Sequence, residues 1–134
     1  MIKIVKMILM VVAIQLALNA YGVETLPRTI KAFCAMAFAG DIAEQNQKFN
    51  ATDVAVSGVP NRRILGYLVG DDYAYLWYEH GGGGYHQHLV KFSSTKPYEV
   101  KVSYVFTMTK YKVIHELIKD TKFLSRHLSN QCGL

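Results

Sequence analysis

Residues 73–92 read YAYLWYEHGGGGYHQHLVKF, two runs of alternating aromatic, aliphatic and polar residues joined by four consecutive glycines. Alternation with period two in aromatic and aliphatic residues marks strands, and a glycine-rich break between two such runs marks a hairpin. The pattern spreads in both directions. Residues 63–69 form a strand that ends in the turn Gly70-Asp71-Asp72, and Ser93 to Pro97 make a loop. Residues 98–107 follow as a strand whose Tyr98, Val100, Val102, Tyr104 and Phe106 share one face, with Glu99, Lys101, Ser103 and Thr107 on the other. One packed and one wet face indicates an antiparallel sheet.

The flanks are helical. Over residues 25–50, Ile30, Cys34, Phe38, Ile42, Gln45 and Phe49 recur at spacings of three or four; Thr25 can cap this helix and Pro27 suits its first turn. Over residues 109–129, Ile114, Leu117, Ile118, Thr121, Leu124 and Leu128 make a stripe, with Lys112, Lys119, Lys122 and Arg126 away from it. Val54 and Val56 suggest a short edge strand before the turn at Gly58 to Asn61, and Asn50-Ala51-Thr52 is a glycosylation sequon. The predicted fold is α+β: a two-layer domain in which an antiparallel meander of four to five strands packs on an N-terminal and a C-terminal amphipathic helix.

At 51% hydrophobic and 19% charged, the chain has the composition of a folded domain, which excludes a disordered tail. Residues 1–22 have the organisation of a secretory signal. Lys3 and Lys6 precede an apolar core over 8–18, and Ala20-Tyr21-Gly22 supplies a small-x-small cleavage site. Cleavage leaves a single exported domain, 23–134, periplasmic or secreted. The signal's own apolar run is too short to serve as a spanning anchor, so no membrane association is expected after cleavage. Losing two lysines lowers the formal charge from +5 to +3, and no Arg/Lys-rich run remains to bind nucleic acid. Cys34 and Cys132, the only cysteines, are expected to pair in that oxidising compartment. Such a bridge would add about 4 to 5 kcal/mol in the chain-entropy model.

Chemistry concentrates on the hairpin. A symmetric two- or four-residue loop sets His80 opposite Tyr85, Glu79 opposite His86 and Trp77 opposite His88, so that Glu79, His86 and His88 share a face as three metal ligands for zinc or copper. A three- or five-residue loop breaks that set. No nucleophile accompanies the histidines, Gly-x-Ser-x-Gly is absent, and Cys34 lies in an apolar run without a basic neighbour. The principal expectation is therefore a small exported binding protein without catalysis or cofactor. It recognises a protein partner, in the manner of inhibitors and immunity proteins, through Tyr75, Trp77, Tyr78, Glu79, Tyr85, His86 and His88. With both helices on one face of the sheet, the other aromatic face is left for a partner or for a second copy in a homo-oligomer. The alternatives are the metal site of His86, His88 and Glu79, and a small-ligand pocket between helices and sheet.

Overall fold

The computed structural model describes residues 26–129. The expected export signal over 1–22, the expected cap at Thr25, and Cys132 with its half of the expected disulfide lie outside them. Among the described residues the fold is α+β, built on a five-stranded antiparallel meander. Helix α1 is Arg28–Phe38. The strands β1 (Arg62–Val69), β2 (Tyr73–His80), β3 (His86–Ser93) and β4 (Val100–Phe106) follow, then short helices α2 (Ile114–Lys119) and α3 (Thr121–Ser125), and a two-residue β5 (Leu128–Ser129). No helix among these residues is long and apolar enough to cross a membrane.

The alternation in the β2–β3 hairpin governs the layering. Leu76, Tyr78, Val90 and Phe92 join Ile30, Phe33, Cys34 and Phe38 of α1 in one buried cluster. Phe33 stacks on Phe92 with ring centroids 3.9 Å apart. Trp77, Leu89 and Phe106 join Ile114, Leu117 and Leu124 in a second cluster. The helices thus cover opposite faces, giving three layers where two were expected. A sheet apolar on both sides loses more by leaving one side wet than by splitting its helical cover.

Four further boundaries differ from the sequence reading. The first helix stops at Phe38 because Ala39 and Gly40 both take left-handed backbone, with φ of 51° and 83°. The chain beyond them bridges β1 in parallel, Ala43 donating to the Arg62 carbonyl at 2.9 Å. Val54 and Val56 form no strand and are exposed. The apparently uninterrupted alternation of the fourth strand is split by an irregularity opposite Lys91 and Phe92. Tyr98 and Val100 therefore pack with the α1 cluster, and Tyr104 and Phe106 with the other. The C-terminal helix is broken at Asp120, whose carboxylate caps α3 by accepting from Phe123 N at 2.9 Å.

The two ends of the glycine tetrad are tied down, Gly81 donating to the Asn61 carbonyl at 2.9 Å. Residues 50–53 lie against it, and Gly84 N donates to the Asp53 carboxylate at 3.1 Å. Asn50, the sequon residue, is buried, with its amide donating to Val54 O and Asn61 Oδ1. A Cβ on Gly81 would stand 2.2 Å from Asn50 O and 2.7 Å from Ala51 Cα. Gly81→Ala is therefore expected to cost about 1–3 kcal/mol in urea unfolding, by overpacking against backbone that cannot step aside. A change of only a few tenths would show that the 50–53 segment does not clamp the hairpin.

Candidate metal centre

Five residues, Gly81 to Tyr85, connect β2 to β3, so His80 pairs with His86, Glu79 with Gln87 and Tyr78 with His88. The odd loop reverses the expected relationship. Glu79 leaves the face of His86 and His88, and His80 takes its place. On the α1 side of the sheet, His80, His86 and His88 each present a ring nitrogen, and these atoms all lie within 4.8 Å of one another.

The local geometry follows from two adjacent cross-strand pairs. His88, buried, stacks on Tyr78 with centroids 4.8 Å apart and planes 2° from parallel. Tyr78 is in turn held edge-on by Phe38 at the end of α1. One rung nearer the loop, His80 Nδ1 is 3.3 Å from His86 Nε2. The other nitrogen of His86 donates to the Gly84 carbonyl at 2.8 Å. That bond places the proton of the neutral imidazole on Nδ1 and leaves an Nε2 lone pair facing His80. A carbonyl behind one imidazole nitrogen is the usual device for aiming the other at a metal.

His88 and His80 both titrate below the ordinary imidazole value. Burial, followed by the nearby His86, His80 and Arg62, pushes His88 down to about 4. Burial and then Arg62 and His86 lower His80, opposed by Asp41. Arg62 pairs with His80 across β1 and β2, and its Nη1 bonds Asp41 at 3.0 Å. Among the described residues His88 Nδ1 is buried without a hydrogen-bond partner.

The remaining expected site residues divide between core and support. Glu79 is buried on the far face, where Arg63 Nε donates to Oε1 at 2.6 Å and the Tyr85 hydroxyl to Oε2 at 2.7 Å. Gln87 donates to Tyr85 and accepts from Trp77 Nε1. This chain of bonds ties both ends of the loop together behind the histidines. Trp77 is 4% exposed and Tyr78 fully buried, so neither offers a ring to a partner. Tyr85 is exposed, at 40%. Tyr75 lines a groove of about 350 Å³ with Tyr104, Ile118, Leu124 and Leu128. Cys34 sits in the α1 core, where burial pushes its thiol up to about 12, leaving an unreactive group.

His80 was missed as a ligand. The signal for it is the spacing His-x5-His-x-His over residues 80–88, which becomes a convergent set only when the connection is odd. No family model, curated protein or solved structure matches this chain.

Proposed function

We propose that this protein is an exported, metal-binding domain that holds one divalent transition-metal ion, zinc or copper, on His80, His86 and His88. The observation that carries this reading is the convergence of three imidazole nitrogens within 4.8 Å, one of them pre-aimed by the Gly84 carbonyl. Zinc–imidazole bonds of 2.0–2.1 Å in a tetrahedral centre put donor atoms about 3.3–3.4 Å apart. The His80–His86 separation is 3.3 Å, so that edge of the polyhedron is already formed. Neutral imidazole is the ligating form, and burial keeps His88 in it. A donor set without thiolate or carboxylate suits zinc and copper, and disfavours calcium and magnesium.

Among the described residues His88 also keeps a buried Nδ1 without a hydrogen-bond partner, which a plain stacked histidine beside a hydrogen-bonded pair does not explain. Such an orphan costs about 1–3 kcal/mol. Chelator-free protein is expected to bind one equivalent of zinc, and zinc at a hundred times its Kd to stabilise the fold by about 2.7 kcal/mol. His86→Ala, which alters a half-exposed ring, should fold and lose both effects. Native protein free of metal, with no thermal shift on adding zinc or copper, would remove the proposal.

A further inference from the structure

We infer that the centre takes a small oxyanion, of the carboxylate or phosphate class, as its fourth ligand, with Arg62 as the second anchor. This deepens the metal-binding reading and rests on it. Three neutral imidazoles supply no charge, so a bound dication keeps its full +2. Among the described residues the cluster holds three His/Cys/Asp/Glu donors and no fourth. The nearby carboxylates are committed elsewhere: Glu79 lies on the opposite face with Arg63 and Tyr85, Asp53 accepts from Gly84 N, and Asp41 pairs with Arg62.

Arg62 lies directly opposite His80, and residues so paired hold their Cβ atoms about 4.5–5.5 Å apart. Its guanidinium lies over the Phe38 ring, 4.9 Å from the centroid, and its charge lowers both His80 and His88, which makes it a second cation near the cluster. A planar guanidinium recognises carboxylate and phosphate through paired N–H donors. The Arg62 and Asp41 side chains are 19% and 43% exposed, and a pair whose carboxylate stays in water leaves room for an incoming anion to share the guanidinium. His80 and His86 are half-exposed while His88 is buried, so the cluster opens to solvent on the side of the first two. A water ligand would satisfy coordination number alone. The added guanidinium selects a ligand that also carries negative charge.

The test uses the full chain loaded with cobalt(II), whose visible ligand-field bands report the coordination shell, in a non-coordinating buffer. Titration with acetate, and separately with inorganic phosphate, is expected to shift the bands saturably at millimolar anion, the stronger of the two distinguishing the oxyanion classes. Arg62→Gln should bind cobalt in the same stoichiometry and weaken the anion about tenfold, the loss of one charge-assisted contact. Asp41→Asn releases Arg62 and should tighten the anion several-fold, an opposite change that loss of folding cannot mimic. Bands that neither anion moves, or unchanged anion affinity in both variants, would overturn this inference while the metal site stands. Failure to bind cobalt would overturn both.

Discussion

Trp77→Ala is expected to lower the unfolding free energy by about 3–5 kcal/mol, the cost of emptying a large aromatic site in a closed core. Trp77 is 4% exposed and packs with Leu89, Phe106, Ile114, Leu117 and Leu124 under the C-terminal helices. Truncation removes those contacts and also takes away the donor to the Gln87 side-chain Oε1, which accepts from Nε1. In a domain of about a hundred residues each kcal/mol moves Tm by about 4–8 °C, so the variant should melt some 12 °C or more below the parent. Chemical denaturation with matched m-values measures it. Val54→Ala, at a site 71% exposed, is the control and should fall within about 0.5 kcal/mol of the parent. A near-native midpoint for Trp77→Ala would show that the second core is not closed, and would return the indole to a binding surface.

That reversal of the role of Trp77 shows where sequence was a good guide and where it was not. Period-two alternation located the central strands to within a few residues, because a strand with buried faces must write its burial into its side chains. It cannot write the parity of a glycine loop. Four glycines accept two-, four- or five-residue connections, and one residue of difference exchanges Glu79 for His80 beside His86 and His88. The same limit hid the irregularity beside Lys101, which sends Val100 and Tyr104 to opposite cores although both obey the alternation.

The helices failed for a different reason. Ile42 and Phe49 continue the apolar spacing of α1, but the left-handed backbone of Ala39 and Gly40 ends the helix first. Asp120 likewise sits inside an unbroken stripe and caps a new helix there. The covered second face followed from an observation already in the sequence, that both sides of the hairpin are apolar. Two apolar faces call for cover on both sides, which the helices supply by dividing between them.

The histidine cluster itself should make the metal-free fold acid-sensitive well above the range in which carboxylates titrate. In the unfolded chain His88 takes up a proton near its ordinary 6.5, whereas in the fold burial and its cationic neighbours delay this to about 4. Between those values the unfolded state binds more protons, so stability is complete above about pH 6.5 and falls as pH is lowered. The loss from His88 amounts to about 2 kcal/mol at pH 5 and about 3 kcal/mol at pH 4. His80, lowered by burial and then by Arg62 and His86, acts in the same direction. His86 and Arg62 face the same space and add charge repulsion to any proton that enters, while Asp41 is the acidic group that opposes them. Urea midpoints in the presence of chelator, followed from pH 7 to 4.5, measure this slope. His88→Phe keeps a ring against Tyr78 and removes the titrating group, so its profile should be flatter than the parent by about 2 kcal/mol over that interval. Equal slopes would mean that His88 is already hydrated in the fold, and that its nitrogen is not held in reserve for a metal.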